Sequence, residues 1–181
     1  MRDALVPEAS LEDTPHGRRA VSEGWFVLSL LDAYAEGNDA SGAWYPLESD
    51  DHRWPDFGAN VHVLEPGQIA CRYHQESAQE GFLVLHGACL LVVEEQERPL
   101  RQWDYFHCPG GTRHVLVGAG DGPCAILMIG ARPAHNEIHY PVSEAAALHG
   151  ASVSTATDLP REAYADWPGP FGPRRPAWPR A

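Results

Sequence analysis

Four residues have the types and spacing to do chemistry: His74, Glu76, Glu80 and His114. Imidazole nitrogens and carboxylate oxygens are the donors that first-row divalent ions take. His74 and Glu76 stand two apart, so on an extended segment both side chains leave from one face. Glu80 follows a bend and opens the next strand. His114 comes just after the Pro109-Gly110-Gly111 turn, which folds its strand back beside the others. Four ligands from three neighbouring strands then converge on one divalent ion without a long loop. The set is richer in oxygen than a structural zinc site, and it leaves Zn, Mn, Fe(II) and Ni open. Glu76 or Glu80, if loosely held, would serve as a general base. The competing reading is a barrel that has lost its metal, in which His74 only hydrogen-bonds in the interior. Two buried carboxylates weigh against it, because without a cation their desolvation is costly.

The elements that position these residues read as short strands joined by turns. Glycine and proline number 17 and 16 and are spread along the chain, a pattern that favours an all-β architecture over a helical bundle. Residues 1–23 read as a polar N-terminal arm that adds strands, with Ser10 capping a short turn. The apolar run Gly24–Leu31 predicts the first strand, and 43–47 another. From 60 onward the strand signals are regular: 61–65, 68–74, and 82–85 with 89–93 as a hairpin around His86-Gly87-Ala88. Strands at 103–108, 114–117 and 124–129 follow, the last apolar enough to be fully buried. Glu94, Glu95 and Glu97 read as a solvated turn. Beyond 132 a short helix is predicted between a Ser143 cap and Gly150, with a second near Asp158 or Pro160. The six prolines of residues 160–181 cannot build a core of their own, so Trp167, Phe171 and Trp178 are expected to pack on the barrel or on another subunit. The division is thus arm 1–23, barrel 24–132, and helical segment with Pro-rich tail 133–181.

The segment Gly67–His114 resembles the two signature motifs of the cupin superfamily. The first runs Gly, five residues, His-x-His, three or four residues, Glu, six residues, Gly. Glu80 and Gly87 match its end, and Gly67 its start with one extra residue before His74. The second is Pro-x-Gly-x-x-His, matched in full by Pro109 to His114. Glu76 takes the second-histidine position, so the usual three-His, one-Glu set becomes two-His, two-Glu. A shifted alignment would put Tyr73 and Gln75 at the histidine positions. The motif's closing Asn is replaced by Gly118, and the Gly that usually precedes Asp104 by Trp103. The stretch from Leu64 to Cys124 is also similar to single-domain bacterial cupin proteins of unassigned activity. The resemblance implies a jelly-roll double-stranded β-helix, and a metal-dependent enzyme acting on a small molecule in the barrel. Isomerase, lyase and dioxygenase chemistry stay open, as does a non-catalytic binding module.

Other residues near the motifs carry less. His107 and Cys108 alternate faces, so only one of them faces the lumen. His62 enters the same barrel. Arg72 and Tyr73 read as surface or inter-strand residues, and His135 and His139 as solvated or capping.

A formal charge of −12 excludes nucleic-acid and anionic-membrane partners, since phosphate binding needs clustered positive charge. All 13 basic residues are arginine, so Schiff-base chemistry is excluded. No apolar run reaches a membrane span and no hydrophobic leader opens the chain, so a cytoplasmic protein is expected. Cys71, Cys89, Cys108 and Cys124 show no Cys-x-x-Cys pair and are expected as free, mostly buried thiols. Sheet edges that need covering predict a homodimer.

Overall fold

A computed structural model describes residues 5–49, 52–175 and 178. The strands are β1 (Leu11–Thr14), β2 (Gly17–Ala20), β3 (Glu36–Asn38), β4 (Gly42–Pro46), β5 (Phe57–Leu64), β6 (Gln75–Glu76), β7 (Glu80–His86), β8 (Ala88–Val93), β9 (Gln96–Arg101), β10 (Tyr105–Cys108), β11 (His114–Ala119), β12 (Cys124–Ala131), β13 (Ile138–His139) and β14 (Gly172–Pro173), with helices α1 (Glu144–Ala147) and α2 (Pro160–Ala163). A seven-stranded sheet in the order β10-β7-β12-β5-β4-β3-β14 faces a three-stranded sheet β11-β8-β9. Every pairing between these strands is antiparallel. The architecture is the expected all-β jelly-roll barrel.

Three apolar layers explain why many strands are apolar on both faces. Leu64, Phe82, Leu91, Leu116 and Ile126 fill the space between the sheets, together with the thiols of Cys89, Cys108 and Cys124. Ala43, Tyr45, Val61, Val63 and Ala125 point out of the larger sheet, where Leu28, Leu30 and Trp178 pack on them. Tyr73, Val115 and Val117 point out of the smaller sheet and are covered by Ala146, Ala151 and Trp167. Burial on both faces is what a strand read as continuously apolar implies. In β12 it holds for Cys124–Ile126, whereas Ile129 is exposed.

The structure corrects four local expectations. Gly24–Leu31 is not a strand: Val27 and Leu31 are exposed, and the run supplies only one bridge, between Glu8 and Trp25. Leu28 and Leu30 instead cover the larger sheet, so the apolar run records burial without pairing. The arm does contain strands, because β1 and β2 form a hairpin where Ser10 was expected to cap a turn. His86-Gly87-Ala88 is not a hairpin either, since β7 and β8 lie in different sheets. Gly87 has φ +72°, and a Cβ there would sit 2.7 Å from the Pro123 carbonyl oxygen, so the chain changes sheets at a position closed to other residues. The hairpin partner of β8 is β9, through Glu94-Glu95. Finally, 68–74 is not a regular strand. It follows β11 through bridges Ile69–Val117 and His74–His114.

The C-terminal expectations hold. Ser143 caps α1 by accepting from the Ala146 N–H, and Gly150 follows with φ +70°. The second helix starts at Pro160. The aromatic tail packs on this chain's own barrel: Phe171 stacks on Trp44 at 5.3 Å, Trp178 lies against Tyr45, and β14 pairs with β3. Among the described residues, no helix is long and apolar enough to cross a membrane.

Candidate metal centre

The bridge between His74 and His114 sets the site. His74 N donates to His114 O at 3.2 Å and His114 N returns a bond to His74 O at 2.8 Å, which brings the two rings to 5.0 Å. The turn that delivers His114 packs directly on the segment after Glu76. Gly111 N donates to Glu76 O at 2.6 Å, and a Cβ on Gly110 would lie 2.2 Å from Ser77 O. Gly110→Ala should therefore displace this turn, cost about 2–3 kcal/mol of stability and weaken metal binding. Parallel urea titrations and chelator competition would check both; an unperturbed variant would mean that the turn relaxes freely.

Glu80 opens β7 beside β10, its Cα opposite Cys108. The donor atoms of His74, Glu80 and His114 all lie within 4.8 Å of one another. Glu76 stands at the margin of this group. Its Oε1 is 3.7 Å from His74 Nε2, while its Oε2 accepts from Asn136 Nδ2 at 2.6 Å. Tyr73 and Gln75 do not enter the site: Tyr73 is buried in the layer under α1, and Gln75 accepts from Arg113. That disposition matches the unshifted alignment.

Both imidazoles are oriented in the same way. His74 Nδ1 lies 2.8 Å from Arg72 O and His114 Nδ1 3.1 Å from Thr112 O. Each Nδ1–H is thus used on backbone, and each Nε2 points inward toward a carboxylate. A thiol flanks each ring, with Cys71 Sγ 3.6 Å from His74 Nδ1 and Cys108 Sγ 3.5 Å from His114 Nδ1. Of the pair at the turn, then, Cys108 faces the site and His107 is exposed.

The electrostatics follow from burial and crowding. Burial, then the neighbouring His74, lowers the His114 pKa to about 4, so this imidazole is neutral near pH 7. Its Nε2 faces Glu80 Oε2 at 3.5 Å. Burial, then Glu76, raises the Glu80 pKa to about 7. Burial opposes charge on His74, yet Cys71, Glu76 and the Arg72 carbonyl hold its pKa well above the usual value. The neighbouring His74 imidazole keeps Glu76 below the usual carboxylate range despite burial. Lone pairs of two histidines and a carboxylate thus converge with protons as the only relief. A divalent cation satisfies the same set better, so the residues fit a metal.

His62 is near this group but serves a different purpose. It is buried, lines the same cavity, and its Nε2 lies 2.6 Å from Ser41 O. Burial lowers its pKa from 6.5 to about 4. The unfolded chain therefore binds a proton between those values that the folded chain refuses, and stability present above pH 6.5 is lost on acidification. The loss should be about 2 kcal/mol between pH 7.5 and 5. Denaturant melts of wild type and His62→Gln at both pH values test this. Equal losses in the two proteins would remove His62 as the cause.

Several residues here carried no local sequence signal. Asn136, in the loop before β13, holds Glu76, Ser77 and Ala78. Tyr140 lies with its ring 5.8 Å from His74, and Tyr164 meets it edge-on. Arg72, read as a surface or inter-strand residue, is buried and binds Asp166 at 2.6 Å. Its guanidinium also donates to the carbonyls of Gly150 and Ala163 and lies over Trp167. Tyr73 is fully buried as well. His139 pairs with Asp158, and His135 is exposed.

Comparison with known proteins agrees with this fold. The family profile described as "Cupin domain" matches residues 60–130. A sugar phosphate isomerase of the cupin superfamily from Silicibacter pomeroyi is 28% identical with a TM-score of 0.50, over 55% of this chain and 64% of that one. The chain thus spans less than two thirds of that protein. The polyketide cyclase RemF of Streptomyces resistomycificus superposes with a TM-score of 0.55 over 80% of this chain and 94% of its own, at 15% identity. That likeness is one of fold. No curated protein matches the sequence significantly. Residues 60–130, which carry all four candidate ligands, thus match a cupin domain.

Proposed function

We propose that the protein is a metal-dependent enzyme acting on a small molecule held in the barrel beside one divalent ion, with Zn, Mn, Fe(II) and Ni as the candidates. His74, Glu80 and His114 hold the ion, and Glu76 is a fourth ligand or the base beside it. The ion, when bound, supplies a Lewis acid for an oxygen of the substrate. The observation that carries this reading is the inward-facing donor triad with a second carboxylate just outside it. Glu76 keeps its charge and is oriented by Asn136, so its Oε1 is placed to take a proton from a bound molecule. The likeness to a sugar phosphate isomerase supports an enzyme, while isomerase, lyase and dioxygenase chemistry all stay compatible. The second reading is a non-catalytic binding module, favoured by the firm hold of Asn136 on Glu76.

Metal analysis of untagged protein should find about one ion per chain. The loaded protein should then accelerate either exchange of solvent deuterium into hydroxyacetone or dioxygen uptake with catechol. Glu76→Gln should keep the ion and lower that rate roughly a hundredfold. Rates no higher than those of the free ion would favour the binding module. We also propose a homodimer, supported by the exposed Trp103, Tyr105 and Ile129 on and beside the outer face of the larger sheet. A sedimentation mass near 19.9 kDa across micromolar concentrations would oppose it.

A further inference from the structure

The cavity that holds the metal candidates has a volume of about 350 Å³. Its walls are mostly rings and aliphatic side chains: Trp44, Phe82, Tyr140 and Tyr164, continued by Leu116 and Met128. Phe171 stacks on Trp44 with the planes 14° apart, and Tyr164 meets Tyr140 at 87°, so each wall ring is braced by another ring. Among the described residues, no arginine lines this cavity, and the chain has no lysine. Its acidic groups are Glu76 and Glu80. A phosphate group entering here would meet carboxylates and no guanidinium, the reverse of what recognises it.

The adjoining cavity does not supply the missing charge. About 510 Å³ in volume, it shares Trp44 and Asn60 with the first and includes Arg53, which acts on Glu48, together with Arg18, Arg19 and Arg132. Each of these arginines already has a carboxylate: Asp13 at 2.7 Å, Glu12 at 2.8 Å, and Glu48 for Arg132. Asn60 makes a different demand. It stands two residues before His62 on β5, so both side chains face the interior. Its Oδ1 is buried with no hydrogen-bond partner, an arrangement that costs stability unless a donor reaches it. A hydroxyl group on a ligand is such a donor.

We infer that the metal-bearing cavity takes an uncharged, planar molecule of one or two rings bearing adjacent hydroxyl or hydroxy-carbonyl oxygens, and not a phosphorylated sugar. This rests on the metal site proposed above and names the class of molecule it serves. The oxygens face the ion and the rings lie between Trp44 and Tyr140. One of these hydroxyl groups also donates its proton to Asn60 Oδ1.

The test uses the full, metal-loaded chain, with 2,3-dihydroxynaphthalene and ribose 5-phosphate as probes and metal content measured on every sample. The diol should bind at least tenfold more tightly than the sugar phosphate. Trp44→Leu should weaken it about tenfold, and Asn60→Ala by several-fold, both with metal content unchanged. Equal or tighter binding of ribose 5-phosphate would overturn the inference. So would diol binding that neither substitution alters, since the diol would then be chelating the ion without using the walls. Metal bound with no diol binding defeats the inference alone. Diol binding that responds to the substitutions in a protein that takes no metal defeats the metal reading and leaves the cavity assignment standing.

Discussion

His114→Ala should remove the metal, lowering affinity by roughly a thousandfold or more and leaving purified protein with almost none. Second-sphere changes at metal sites already cost tenfold to a hundredfold, and His114 is one of three donors. Its Nε2 is aimed by the Thr112 carbonyl, so no other atom of the turn can replace it. Near neutral pH it also carries no proton to displace, because burial holds its pKa at about 4. The void should be tolerated better than the lost coordination, since Phe82 and Phe106 pack on the ring at 5.1 and 5.7 Å and can close partway over it. His114→Gln is the informative companion. It refills the space but offers an amide, a weaker ligand, so it should restore the melting temperature and not the metal. Metal content measured by mass spectrometry after dialysis against a chelator decides the matter. Wild-type content in both variants would mean that the ion binds elsewhere.

What could be read in the sequence divides along physical lines. His114 and Glu80 were legible because each is tied to local backbone. The Pro109 turn needs Gly110 against Ser77, and Gly87 needs a positive φ, so residue type reports conformation there. Glu76 was legible only as a position. Spacing put it on the face of His74, but the Asn136 bond that draws one of its oxygens aside comes from a loop sixty residues later. Gly24–Leu31 misled for a different reason. Apolar content records burial, and the same residues serve a paired strand or an unpaired cover. At His86-Gly87-Ala88 the turn was read correctly and its consequence was not, since a tight turn does not say which sheet receives the next strand. Arg72 lay furthest out of reach. A lone arginine between Cys71 and Tyr73 looks like surface until the segment 150–167 is folded over it.

Arg72→Ala should cost about 2–4 kcal/mol, as much as truncating a core residue. The cost does not come chiefly from the ion pair. Asp166 is 83% exposed, and a pair open to water on one side contributes on the order of 1 kcal/mol or less. The carbonyls carry more. Gly150 and Ala163 accept from the guanidinium at 2.9 and 3.2 Å; without it the buried Ala163 carbonyl is left under-satisfied at about 1–3 kcal/mol before relaxation, and the more open Gly150 carbonyl loses less. The aliphatic stem and the contact with Trp167 at 5.0 Å are lost as well. Asp166→Asn should therefore cost less than about 1 kcal/mol, and Arg72→Lys should recover little, because one ammonium cannot span both carbonyls and the ring. The effect should reach the cavity. The Arg72 backbone N donates to Tyr164 Oη and the Arg72 carbonyl orients His74, so loosening this residue frees the wall and the ligand together. Urea titrations of the three variants give the ranking, and limited proteolysis should show new cuts between 150 and 167 in Arg72→Ala alone. If Asp166→Asn proved as costly as Arg72→Ala, the ion pair would be the anchor and the carbonyl network incidental.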